Sequence, residues 1–230
     1  MLKDILKRLV RLFVGLFLYS LGIVLTINAN LGLAPWDVFH QGISKMTGIT
    51  MGQASIGTGL LIVILDFAFG ERVGWGTVCN MYFIGYFMDI LMINNVIPVF
   101  DHIILQLIMI ILGMFTIALA TFCYIGAGFG SGPRDGLMVA LTKKTNKSVR
   151  FIRNSIEISV LAVGYLMGGF LGIGTLITAI AMGYFVQFVF KIFKFDIKSV
   201  KHRFIDEDIV FLKKLLFKEK IEMNSDGTEE

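Results

Sequence analysis

Six stretches of the chain are each long and apolar enough to cross a bilayer, and this constrains the fold more than any other feature. A hydrocarbon core about 30 Å thick takes roughly 20 apolar helical residues to span. The stretches run from about Leu9 to Ile27, Ala54 to Phe69, Thr77 to Ile97, Ile103 to Ile125, Phe151 to Leu171 and Thr175 to Phe193. None alternates apolar and polar residues in the short segments a transmembrane barrel would need. With 56% hydrophobic and 17% charged residues and a mean hydropathy of +0.77, a soluble globular domain is excluded. The expected class is all-α, a polytopic membrane protein with the lipid bilayer as its first partner.

Basic residues near span ends stay on the cytoplasmic side. Six spans with a cytoplasmic N-terminus put Lys3, Lys7, Arg8, Arg11, Arg72, Arg134, Lys143, Lys144, Lys147, Arg150, Arg153 and the basic tail inside, and leave only Lys45 outside. Both termini are then cytoplasmic. The formal charge of +4 reflects this topology and gives no reason to invoke nucleic acid.

Sliding the sequence by 98 positions aligns residues 13–87 with residues 111–185 without a gap, at about 17 identities in roughly 75 positions. The matches favour special residue types. Gly15, Gly32, Pro35, Asp37, Gly74, Gly76, Thr77 and Gly85 meet Gly113, Gly130, Pro133, Asp135, Gly172, Gly174, Thr175 and Gly183. Each unit holds three spans, an odd number, so the second unit should run upside down relative to the first. The expected division is a first repeat over 1–100, a second over 101–195 and a cytoplasmic tail over 196–230. Inverted repeats are common among secondary transporters, whose sites lie near mid-membrane. Because the first span belongs to the repeat, it reads as a retained signal anchor rather than a cleaved leader.

Between the first two spans of each unit lies a glycine-bearing strip followed by a short helix, opening at Pro35-Trp36-Asp37 and at Pro133-Arg134-Asp135. Proline suits the first helical turn, and an acidic residue two places on faces the positive helix end. If both helices dip into the membrane, their starts meet near the middle and form a site for an anion or the negative end of a dipolar solute. If they lie at the surfaces, Asp37 and Asp135 are caps and Arg134 is one more inward-facing positive charge. In the first reading Pro35, Trp36, Asp37, Pro133, Arg134 and Asp135 form the substrate site. Arg134 then contacts an anionic group through its planar fork, and the two aspartates handle a coupling cation.

Asp89 and its repeat partner Gln187 are candidate polar or ion-lining residues on the third and sixth spans, although glycine-mediated helix packing there is the alternative. Asp66 and Glu157 lie near cytoplasmic ends, where snorkelling or pairing with Arg72 or Arg153 would explain them. Cys79 and Cys123 read as packing residues, and His40, His102 and His202 have no metal-ligand companions. No phosphate-binding loop, nucleophile elbow, dinucleotide fingerprint or paired-cysteine motif occurs, so neither an enzyme nor a cofactor is expected. In the tail, Ile205, Ile209, Leu212 and Leu216 share one helical face beside Lys213, Lys214, Lys218 and Lys220, as a helix on the inner membrane surface would. Residues Asn224 to Glu230 should be disordered.

The six-span pattern, the run Gly32-Leu-Ala-Pro-Trp-Asp37 and the run Gly130-Ser-Gly-Pro-Arg-Asp-Gly136 resemble the bacterial YczE/YyaS/YitT family of integral membrane proteins, closest to its YczE-like branch. The resemblance covers about residues 8–195 and implies a multi-pass protein of the bacterial plasma membrane. The tail is too short for the soluble C-terminal domain typical of YitT-like members. Three functions stay open: a secondary transporter or permease for a small solute, a scaffold or regulator of a membrane or cytoplasmic protein partner, and a small channel.

Overall fold

The computed structural model describes residues 2–200 and 202–207. Most of the expected surface helix, from residue 208 on, lies outside the described residues. Among those described there are eight α-helices and no strand: α1 (Leu2–Asn28), α2 (Pro35–Thr47), α3 (Met51–Ala68), α4 (Trp75–Ile93), α5 (Ile103–Ala127), α6 (Pro133–Thr145), α7 (Val149–Leu166) and α8 (Ile173–Ile192). The all-α expectation holds. Five helices, α1, α3, α4, α5 and α8, are long and apolar enough to cross a membrane. The remaining expected span, α7, is as long as α3 but carries Arg150, Arg153 and Glu157. The end expected for the third span is also corrected, because α4 stops at Ile93 and Asn95 turns the chain with a positive φ of 49°.

Helix starts recur at the spacing of the sequence repeat: Pro35 and Pro133, Met51 and Val149, and Trp75 and Ile173 open corresponding helices. The local chemistry recurs with them. Thr50 caps α3 by accepting from the Gln53 amide at 3.1 Å, and Ser148 caps α7 by accepting from the Phe151 amide at 3.3 Å. Helices α2 and α6 close on left-handed residues, Gly48 (φ 78°) and Asn146 (φ 54°), whose amides donate to Ser44 and Thr142 carbonyls.

Contacts between the halves come in exchanged pairs. The Gly76 amide donates to the Phe129 carbonyl at 2.7 Å, and the Gly174 amide donates to the Leu31 carbonyl at 2.6 Å. A Cβ on Gly15 would meet the Tyr124 backbone, and one on Gly113 would meet the Thr26 backbone, so α1 and α5 approach closely at two matching crossings. Likewise α2 packs on α7 as α6 packs on α3, and α1 on α4 as α5 on α8. The core runs between α1 and α5 through Leu12, Leu16, Val24, Ile110 and Met114, all almost fully buried.

The α3–α4 pairing is not exchanged. Helix α3 packs along α4, with the Gly52 and Gly85 backbones in contact, whereas α7 stands away from α8 and Gly183 faces open space. Arg150 occupies the position equivalent to Gly52, and a long charged side chain there denies the close approach that glycine allows. The cavity described next opens into this gap.

Candidate functional site

The strips before α2 and α6 are threaded inward by glycine. Gly32 (φ 116°) and Gly130 (φ 111°) adopt backbone angles that L side chains rarely tolerate. A Cβ on Gly32 would sit 2.6 Å from the Gly172 amide nitrogen, so the strip lies directly on the start of α8. These contacts carry Pro35 and Pro133 to the wall of one cavity of about 370 Å³, within the range of small-molecule pockets. Tyr19 and Ile23 of α1 and Ile117 and Tyr124 of α5 also line it, so the cavity lies against the C-terminal halves of the two long helices.

Pro35, Trp36, Asp37, Pro133, Arg134 and Asp135 all line this cavity. The repeat-equivalent residues Trp36 and Arg134 meet, with the guanidinium carbon 4.4 Å from the indole centroid. Among the described residues no carboxylate is ion-paired with Arg134. Its polar edge remains available to the cavity. Asp135 accepts a long hydrogen bond of 3.4 Å from the Tyr124 hydroxyl, and Asp37 lies 3.6 Å from His40 Nδ1. Both aspartates occupy the first turn of their helices, where a carboxylate offsets the positive helix end. On α7, Arg153 Nε donates to Glu157 Oε1 at 3.1 Å, and this pair lines the cavity beside the α7–α8 gap. Glu157 is thus explained by pairing with Arg153.

Asp89 and Gln187 do not line the cavity. Asp89 instead accepts from Thr50 Oγ1 at 2.5 Å and from the Gly52 amide at 2.8 Å, fastening the start of α3 to α4. Gln187 lies on the exposed face of α8. The pairing of these residues across the repeat therefore does not mark a shared wet face. Asp66 is not paired with Arg72, whose guanidinium goes to Asp206 and Glu207 at 2.8 Å each. It is buried against Gly136 of α6 with Oδ1 unbonded. Cys79 and Cys123 are unbridged and half-buried in α4 and α5, as expected of packing residues.

The inner wall also holds one residue, His40, to which sequence reasoning gave no role. His40 is 1% exposed, and among the described residues neither ring nitrogen has a hydrogen-bond partner. Asn80 and Thr178, aligned in the repeat, face the cavity from α4 and α8. The signal for His40 was present, since residues three apart on a helix share a face and Asp37 was already a candidate.

Beyond α8 the chain returns across the same end of the molecule. The Arg203 amide donates to the Gly128 carbonyl at 2.9 Å, the Ile205 amide to the Val73 carbonyl at 3.1 Å, and His202 Nδ1 accepts from the Gly130 amide at 3.3 Å. Burial, and then the nearby Arg8, lower the His202 pKa.

Comparison with known proteins gives the family. The family model described as "Family of unknown function (DUF6198)" matches residues 6–191. The "Uncharacterized membrane protein YczE" of Bacillus subtilis is 36% identical over 82% of this chain and 87% of its own length. An "Uncharacterized protein" of Haemophilus influenzae is 34% identical over 79% of this chain and 82% of its own, and the B. subtilis "Uncharacterized protein YyaS" is 27% identical over 72% and 83%. No solved structure matches the chain. The resemblance carried by the Gly32–Asp37 and Gly130–Gly136 runs is thereby confirmed, and the chain belongs to the DUF6198 family, with YczE and YyaS among its relatives.

Proposed function

We propose that this protein is a secondary transporter of the permease type for a small solute bearing an anionic group. It works as an inverted repeat of six spans in the bacterial plasma membrane, with both termini cytoplasmic. The observation that carries the reading is the meeting of two repeat-equivalent helix starts in one cavity, with Arg134 stacked on Trp36 and, among the described residues, ion-paired with no carboxylate. Exchanged contacts such as Gly76–Phe129 and Gly174–Leu31 are what a two-fold relation between halves gives, and three spans per half orient that axis in the membrane plane. Helix α7 counts as the sixth span because its Arg153–Glu157 pair lines the cavity.

In this reading α2 and α6 are re-entrant, and their backbone groups at membrane depth are tolerated because they are buried in protein or line a cavity. The solute's carboxylate or phosphate takes the two-pronged face of Arg134 while its remainder lies along Trp36. Entry is through the gap between α7 and α8, with the opposite side closed by Gly52 against Gly85.

The test is solute flux into proteoliposomes with a panel of small carboxylates, phosphates and zwitterions. The reading expects saturable uptake of at least one, lost in Arg134→Gln and retained in Asp89→Asn. Absence of flux across the panel, with a wild-type cellular phenotype for Arg134→Ala and Asp135→Asn, would overturn it in favour of a scaffold or regulatory partner.

A further inference from the structure

The cavity treats its two aspartates differently. Asp135 has the Tyr124 hydroxyl at 3.4 Å. The residue equivalent to Tyr124 is Thr26, whose hydroxyl donates to the Ile23 carbonyl instead. Asp37 has His40, whose Nδ1 is 3.6 Å from Oδ1, beyond a hydrogen bond but within ion-pair range. His40 has no counterpart in the other half, where Met138 holds its position.

An imidazole always carries at least one N–H, and when neutral it also has an acceptor nitrogen. Burying both without partners is costly, and buried polar atoms are nearly always satisfied in some state of the molecule. His40 is 1% exposed, both its nitrogens lack partners, and its ring lies between those of Trp36 and Phe39 at centroid distances of 6.4 and 6.3 Å. A purely structural histidine commonly donates to a backbone carbonyl; this one has Asp37 beside it and lines the cavity.

The charges around it give the imidazole a task. The ionisable groups turned to the cavity are Tyr19 of α1, Asp37 of α2, Tyr124 of α5, Arg134 and Asp135 of α6, and Arg153 and Glu157 of α7; α3, α4 and α8 contribute no charged side chain. Arg153 and Glu157 neutralise each other. That leaves two carboxylates around one guanidinium, an environment that repels the anion Arg134 would bind. One added proton removes the excess.

We propose that Asp37 and His40 form a proton-binding site loaded together with the anionic solute, which makes the carrier a proton–anion symporter. This rests on the reading of the cavity as the solute site. A proton from water adds to Nδ1, the nitrogen facing Asp37. The imidazolium and carboxylate close to a charge-assisted hydrogen bond, while the Nε2 proton stays in place. The proton leaves to water on the other side once the solute is gone. Because binding free energies are reciprocal, solute raises the proton affinity of His40 by the same factor by which the proton raises solute affinity.

The test uses full-length protein with ¹⁵N-labelled histidine in nanodiscs of phosphatidylethanolamine and phosphatidylglycerol. Histidine nitrogen spectra are recorded from about pH 4.5 to 8.5, the range over which imidazoles change charge. The His40 resonance is assigned by its loss in His40→Gln, with His102 and His202 as internal references. The proposal expects His40 to take up a proton within this range. It expects Asp37→Asn to weaken that proton affinity at least tenfold, a midpoint lower by about one pH unit or more, and Arg134→Gln to raise the midpoint. If Asp37→Asn does not fold, the wild-type and Arg134→Gln titrations still decide. A His40 that stays neutral throughout, or whose midpoint ignores both substitutions, overturns the proposal. A silent His40 in a protein whose Arg134-dependent flux is intact removes the proton coupling and leaves the transport reading standing.

Discussion

Gly85 and Gly183 are repeat equivalents on α4 and α8, and the same substitution should act oppositely at the two. A Cβ added at Gly85 would stand 2.5 Å from the Gly52 carbonyl oxygen and 2.7 Å from Ile56 Cγ1, whereas nothing lies within 4 Å of one added at Gly183. Reaching an ordinary contact of about 3.4 Å means moving α4 from α3 by about 1 Å, and dense packing transmits such a shift rather than absorbing it. The two helices are not free to part, because Asp89 binds Thr50 Oγ1 and the Gly52 amide across the same crossing. Overpacking of this kind costs about 1–3 kcal/mol, and the better helix propensity of alanine returns roughly 0.5–1. Gly85→Ala should therefore lose up to about 2.5 kcal/mol, while Gly183→Ala should gain up to about 0.5–1. For a chain of this size each kcal/mol moves the midpoint by about 2–4 °C, and since the propensity gain is common to both variants, the overpacking cost alone should separate them by roughly 2–12 °C. Thermal unfolding in detergent, followed with a thiol-reactive fluorophore that reaches Cys79 and Cys123 on opening, reads this directly. Equal destabilisation by the two substitutions would mean that α8 packs on α7 as α4 does on α3, and the reasoning from the one-sided gap would fail.

Three further outcomes are expected. Asp89→Asn keeps shape but retains only one acceptor oxygen for two donors; it should cost about 1–2 kcal/mol of stability, measured by the same melt, without altering solute affinity. Gly172→Ala and Gly74→Ala place a Cβ against the Leu31 and Phe129 carbonyl oxygens respectively; both should lower folded yield on size-exclusion chromatography, and a neutral result at either refutes the close strip-to-helix contact. His202 has its folded pKa lowered, chiefly by burial and then by Arg8, so its contribution is full above the usual imidazole value of 6.5 and is lost as pH falls through the folded value. A nitroxide at Ser199→Cys should accordingly become more mobile on acidification, and His202→Gln should flatten that response; a response that persists in His202→Gln assigns the effect elsewhere.

Much of the fold was legible because its determinants are local. Twenty-residue apolar runs fix long helices, and Pro35 with Asp37 and Pro133 with Asp135 mark helix starts by chemistry that needs no tertiary context. The same local marks located six residues of the cavity wall. What stayed hidden depends on partners far away in sequence. Asp89 reads as an intramembrane charge until Thr50, 39 positions back, supplies its donor. Its repeat partner could not reveal this, since Arg150 holds the position equivalent to Gly52 and α7 stands away from α8. His40 was passed over because a helix imagined at the outer surface gives an imidazole to water, whereas α2 carries it inward to 1% exposure. Span counting by composition is least informative for α7, where a charge pair turned to a cavity and one turned to lipid look alike in sequence.

The central claim is that the starts of α2 and α6 meet at mid-membrane and line a solute path. The most direct measurement is cysteine accessibility along Ala29 to Gln41 and Ala127 to Val139, with Cys79 and Cys123 replaced and a membrane-impermeant thiol reagent applied from each side in turn. Labelling that persists deep in both segments, peaks around residues 35–37 and 133–135, and is blocked by a small anionic solute is the predicted result. Labelling of the first segment only from outside and of the second only from inside, uniform along each and indifferent to every solute, would make α2 and α6 surface connectors and contradict the account.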